Sequence, residues 1–123
     1  MRALGELEDR IMRTLWRRES AATVREVHTT LSQDRSLAYT TVMTVMDRLS
    51  RKGLLHRRLR GRAYEYLPSR SEAEYTADLM HELLATTRDS RAVLAHFVGR
   101  MGKRDETELI RLAEEAAKRK LRR

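Results

Sequence analysis

Between Arg48 and Arg62 the chain carries Arg48, Arg51, Lys52, Arg57, Arg58, Arg60 and Arg62 with no acid among them. Guanidinium groups at this density bind polyanions, and their planar forks match phosphate and guanine edges. Just upstream stand Thr40, Thr41 and Thr44, whose hydroxyl and methyl groups suit base edges and the thymine methyl. Metal and nucleophile chemistry find less support. His81-Glu82-Leu83-Leu84-Ala85 opens like a zincin motif, but Ala85 stands where the second His is required. His28, His56 and His96 have no ligand spacing to one another or to a carboxylate. The chain has no Cys, which removes disulfides, thiolate metal sites and thiol nucleophiles together. Its five Gly are dispersed, so there is no phosphate-cradling loop. We therefore expect neither an enzyme nor a metal or cofactor.

The elements that would carry the basic and hydroxyl groups follow from periodicity. Leu4, Leu7, Ile11 and Leu15 form a helical stripe with Trp16 beside it, acids at its start and arginines at its end. Thr23 with Glu26 is a capping box opening a short second helix over Val24, Val27 and Leu31. Ser32 to Leu37 is polar and reads as a turn. A third helix runs from about Ala38 to Lys52 and stops at Gly53, with Val42, Val45, Met46 and Leu49 inward. Thr40, Thr44, Asp47 and Arg51 then face outward, flanked by Thr41, Met43 and Arg48. Asp47 suits an internal partnership with Arg48 or Arg51, or a place away from DNA. Tyr39 can staple the helix start or contact DNA.

After Gly53 the period shortens to two. Leu54 to Leu59 and Ala63 to Leu67 read as a hairpin turning at Arg60-Gly61 and ended by Pro68, with Arg58, Arg60 and Arg62 at its tip. Tyr64 and Tyr66 share one face and are expected in the core. Three helices followed by a basic hairpin is the order of a winged helix-turn-helix. Its second tandem helix would enter a major groove, placing Thr40, Thr41 and Thr44 toward bases and Arg48, Arg51 and Lys52 toward phosphates, with Tyr39 as a further candidate contact. Arg58, Arg60 and Arg62 would meet flanking backbone. The fold class is thus mostly α with a small β-hairpin: a winged helix-turn-helix over residues 1–70, then dimerisation helices over 71–123.

The later helices need a reason of their own. Residues 1–70 hold 15 of the 26 basic side chains and 8 of the 18 acids, whereas the remainder is nearly balanced. Ser71 and Glu74 form a second capping box. Helical stripes follow at Tyr75, Leu79, Met80, Leu83 and Leu84; at Val93, Leu94, Phe97, Val98 and Met101; and at Leu109, Ile110, Ala113, Ala116, Ala117 and Leu121. Three short amphipathic helices build little core alone, so pairing of two copies is expected. The dimer face would comprise Tyr75, Leu79, Leu83, Leu94, Phe97, Val98, Leu109, Ile110 and Ala113. The alternative is packing of these helices on their own winged helix. The basic residues from Lys118 to Arg123 are expected to fray. No apolar run reaches the ~18 residues of a membrane span, and acids at 6, 8 and 9 interrupt any signal-peptide core, so a soluble cytoplasmic protein is expected.

Taken in order, these segments resemble the penicillinase-repressor family. The resemblance rests on Leu4-Gly5-Glu6-Leu7-Glu8, Leu15-Trp16, Ala22-Thr23-Val24-Arg25-Glu26-Val27, the run Ala38-Tyr39-Thr40-Thr41-Val42-Met43-Thr44, Arg48-Leu49, Lys52-Gly53-Leu54 and Gly61-Arg62-Ala63-Tyr64-Glu65-Tyr66. It implies a homodimeric repressor of antibiotic-resistance or related genes, bound to a palindromic operator on double-stranded DNA. It also implies release after a membrane sensor protease leads to cleavage in the C-terminal helices. The position matching the family's scissile Asn-Phe is His96-Phe97, with His96 in place of Asn. The absence of Cys excludes the thiolate copper sensing of some members. Two alternatives stand beside this reading: a winged-helix protein-interaction module, and a non-specific nucleic-acid binder.

Overall fold

The computed structural model describes residues 4–33 and 36–122. The order is α1 (Glu6–Arg18), β1 (Ala22–Thr23), α2 (Val24–Leu31), α3 (Tyr39–Arg51), β2 (Leu55–Arg60), β3 (Ala63–Pro68), α4 (Glu72–Ala85), α5 (Ser90–Gly99) and α6 (Lys103–Leu121). The three strands form one antiparallel sheet in the order β1-β3-β2. Two compact units divide after His81.

In the first unit α1 and α2 start where side chains supply acceptors, whereas α3 starts at Ala38 without a side-chain cap. Glu8 reaches back to the Gly5 N–H at 3.1 Å and closes the first turn of α1. Thr23 and Glu26 cap α2 reciprocally: the Glu26 N–H donates to Thr23 Oγ1 at 3.2 Å and the Thr23 N–H to Glu26 Oε1 at 3.0 Å. α3 runs between Ala38 and Lys52 as its flanking residues, and Gly53 follows at φ 82°, a left-handed geometry that Gly adopts without Cβ strain. The polar turn expected over Ser32–Leu37 includes positions 34 and 35, which lie outside the described residues, as does Arg123. On its far side the Leu37 carbonyl accepts from His28 Nε2 at 2.7 Å, tying the start of the third helix back to the second.

The core joins the inward stripes of α1, α2 and α3 to the sheet. Ile11, Leu15, Val27, Val42, Met46 and Leu49 are buried there with Leu55 and Tyr66. All four expected inward positions of α3 are buried, and its other face stays open. That arrangement turns a helix rich in β-branched residues into a presented surface, because Val42 and Val45 face inward while the threonines do not.

Two details differ from the sequence-based expectation. The hairpin turns at Gly61-Arg62, since Arg60 pairs with Ala63, and Pro68 remains in the strand opposite Leu55. Gly61 takes φ 66° at the first central position, as a two-residue II′ turn requires. Among the two tyrosines only Tyr66 enters the core, whereas Tyr64 is 41% exposed. The residues nearest the hairpin turn are exposed on both strands, so Tyr64 has no core to cover.

Trp16 and Tyr75 fix the start of α4 against α1. Their ring centroids lie 5.5 Å apart, and Trp16 Nε1 donates to the Arg70 carbonyl at 2.9 Å. Ser71 and Glu74 cap α4 as expected. Tyr75 is buried, and burial raises its hydroxyl pKa. In the second unit α5 and α6 have no buried residue. Leu83, Leu94, Phe97, Val98, Leu109 and Ile110 are all exposed there. No described helix is long and apolar enough to cross a membrane.

Candidate nucleic-acid interface

The open face of α3 and the hairpin border one groove of about 750 Å³. Tyr39, Met43, Thr44 and Asp47 line it from α3, and Arg57, Arg62, Tyr64 and Tyr66 from the hairpin. Arg25, one residue into α2, lines it as well. Thr40 and Thr41 are exposed on the first turn of α3. Thr44 Oγ1 donates to the Thr40 carbonyl at 2.8 Å, which orients its methyl group and leaves oxygen lone pairs outward. Tyr39 is 42% exposed and meets His28 edge-on, with centroids 5.7 Å apart. It therefore packs on the second helix and also borders the groove.

The cations divide by their partners. Arg48 and Arg62 are exposed. Lys52 Nζ donates to Glu8 Oε2 at 2.8 Å and joins the end of α3 to the start of α1. Arg51 Nε lies 3.1 Å from Asp47 Oδ2, and Arg57 Nη1 lies 3.4 Å from Asp47 Oδ1. Arg57 also stacks 4.4 Å from the Tyr64 ring centroid. Tyr66 first, then Tyr64 and Asp47, push its guanidinium pKa above the ordinary value, so it stays charged. Arg60 Nη1 lies 3.2 Å and Arg58 Nε 3.6 Å from the two oxygens of Glu65, which is buried in β3. Both guanidiniums remain largely exposed, so each can face a phosphate while neutralising Glu65 from its other side.

The Lys52 ammonium, followed by the Gly5 N–H, holds the Glu8 carboxyl below its ordinary value of 4.5. Such a group stabilises the fold fully above the unfolded pKa, and that stabilisation is lost as pH falls through the lowered folded pKa. Acid titration of the wild type should therefore show a loss of stability below about pH 4.5 that Glu8→Gln lacks. Thermal melts of both proteins between pH 3 and pH 7 check this; parallel curves would contradict it.

Among the expected interface residues, Tyr39, Thr44 and Arg62 share the groove. Thr40, Thr41, Arg48 and Arg51 lie exposed on α3, while Arg58 and Arg60 lie on β2. Arg25 and Arg57 join the surface without having been singled out as contacts. Arg57 belongs to the basic run, but only the sheet register places it opposite Tyr66 and beside Tyr64. For Arg25 the only sequence signal is its place at the start of a capped helix. No group of His, Asp and Glu capable of holding a metal occurs among the described residues.

The sequence profile of the penicillinase repressor family matches residues 4–115. The chain belongs to this family. A transcriptional regulator of Mycobacterium tuberculosis, BlaI, is 46% identical over 113 residues, covering 89% of this chain and 81% of its own. The penicillinase repressor of Bacillus licheniformis is 30% identical over 81 residues, 66% of this chain and 62% of its own. Among solved structures, the B. licheniformis BlaI monomer bound to the blaP half-operator aligns at TM-score 0.51 and 28% identity, covering 60% of this chain and 89% of its own. The DNA-binding domain of the repressor BlaI aligns at TM-score 0.52 and 29% identity, covering 58% and 87%. These similarities make the fold of this family member a winged helix-turn-helix.

Proposed function

We propose that this chain holds an inverted-repeat operator as a homodimer, with α3 in the major groove and the β2–β3 hairpin on flanking DNA. As a member of its family it is a sequence-specific DNA-binding transcriptional repressor and not an enzyme. One observation carries the reading furthest: the hydroxyl-bearing face of α3 stands open over a buried seam and shares a groove with the basic hairpin. Thr40, Thr41 and Thr44 read bases in this account, and Arg25, Arg48, Arg58, Arg60 and Arg62 hold phosphates. The residues-1–70 and 71–123 division into DNA-binding and dimerising parts belongs to the same proposal, as does residence in the cytoplasm.

The exposed apolar side chains of α5 and α6 support the homodimer. A partner surface would bury Leu94, Phe97 and Leu109, and two-fold pairing matches a two-fold DNA site. Tyr75 takes no part, because Trp16 covers it within the chain. Release follows if a sensor protease cuts His96–Phe97. Both residues lie exposed within α5, so the helix must open locally before a protease can bind it extended. The cut would separate Phe97, Val98 and α6 from Leu94.

The test uses a duplex selected by the protein and a shuffled duplex of equal composition. Thr44→Ala should lower the preference for the selected duplex by about 10-fold or more, within the ~1–3 kcal/mol of one base contact. Arg62→Ala should weaken both duplexes about equally and reduce the salt slope by about one. Loss of neither would return the protein-interaction reading.

A further inference from the structure

Asp47 is an acid on the surface that meets a polyanion. A carboxylate at this place opposes binding through its own field, so its presence there calls for a compensating role. The geometry supplies one. Asp47 Oδ2 takes Arg51 from the next turn of α3, at 3.1 Å, and Oδ1 takes Arg57 from β2, at 3.4 Å. The second contact joins the recognition helix to the hairpin across the turn at Gly53. Arg57 is fixed further by Tyr64, which lies diagonally across the strand pair with its ring centroid 4.4 Å away. Asp47, Arg57 and Tyr64 all line the groove between helix and hairpin.

We propose that Asp47 is a positioning residue for DNA discrimination: it aims Arg51 and Arg57 and sets the spacing between α3 and the hairpin. The inference rests on the DNA-reading assignment above and deepens it. A guanidinium held by a carboxylate and an aromatic face gives up conformational freedom before the DNA arrives. Such a group contacts phosphates that lie at the right spacing and misses others. Freed from Asp47, Arg51 and Arg57 would pair with any phosphate within reach, and the groove would carry one more positive charge.

The experiment measures binding of the full chain to the selected duplex and to its shuffled counterpart across a salt series. Asp47→Asn should tighten the shuffled duplex about three- to tenfold at low salt, with a steeper salt slope. The selected duplex should gain less, so that discrimination falls at least about fivefold. Asp47→Glu keeps the charge and can still reach both guanidiniums, and should retain most of the discrimination. An equal gain on both duplexes would overturn the proposal, leaving Asp47 as a repulsive charge and nothing more. Weaker binding to both, with a lowered melting temperature, would also overturn it and give Asp47 a purely structural role. If the wild type itself shows no preference, the DNA-reading assignment fails first, and that result is distinguishable because no variant is needed to see it.

Discussion

Replacing Phe97 by Glu is expected to convert the proposed dimer to a monomer and to weaken operator binding by about 10²- to 10⁴-fold, the advantage that linkage gives to a second binding event. The physical reason lies in the second unit. Phe97 is 49% exposed, and Val93, Leu94 and Val98 beside it on α5 are exposed as well. A charge among these side chains cannot be desolvated against a second copy. Nothing in the winged helix changes, so binding to an isolated half-site should stay within about twofold. Sedimentation equilibrium gives the oligomeric state, circular dichroism the helix content, and titration with full and half operators the affinities. A Phe97→Glu protein that remains dimeric and keeps full-operator affinity would remove α5 from the interface.

Leu49→Ala carries the largest expected effect on stability. Leu49 has no exposed surface and sits at the end of the α3 seam with Met46, beside the residues that lead into β2. Truncating a fully buried Leu costs about 2–5 kcal/mol from lost transfer energy and the residual cavity. In a unit of this size the melting temperature should fall by roughly 10 °C or more. Leu121→Ala serves as the comparison. Leu121 is 86% exposed near the end of α6, and its truncation should change stability by no more than ~0.5 kcal/mol. Equal effects at the two sites would mean that the first unit lacks the core assigned to it.

The helical parts of the fold were legible because their signals are local. The capping boxes at Thr23 and Ser71 and the stripe from Val42 to Leu49 need only neighbours within about two turns. β1 was not legible. It is two residues long, and its only partners are Tyr66 and Glu65, more than forty residues away. The fates of Tyr64 and Tyr66 could not be separated by alternation, since both face the same way. What separates them is how far the core reaches along the hairpin, and that depends on the helices beneath it. The interface divides in the same manner. The outward face of α3 follows from the inward one, so Thr40, Thr44, Asp47 and Arg51 were placed by period alone. The partners of the cations were legible only where they lie on the same helix. Arg51 lies one turn from Asp47 and was foreseeable as its partner. Arg57 reaches Asp47 across the Gly53 turn, and Lys52 reaches Glu8 on α1, through tertiary packing that spacing does not encode.

Two copies of this chain, in the proposed function, read a two-fold DNA sequence through α3. The most direct measurement incubates the purified protein with sheared genomic DNA at roughly physiological salt, where plain phosphate attraction is weakened, and sequences the retained fragments. Enrichment of one inverted repeat is expected, with half-site centres about one or two helical turns apart. Retention without a shared motif would contradict it, leaving the basic surface from Arg48 to Arg62 as a non-specific electrostatic feature.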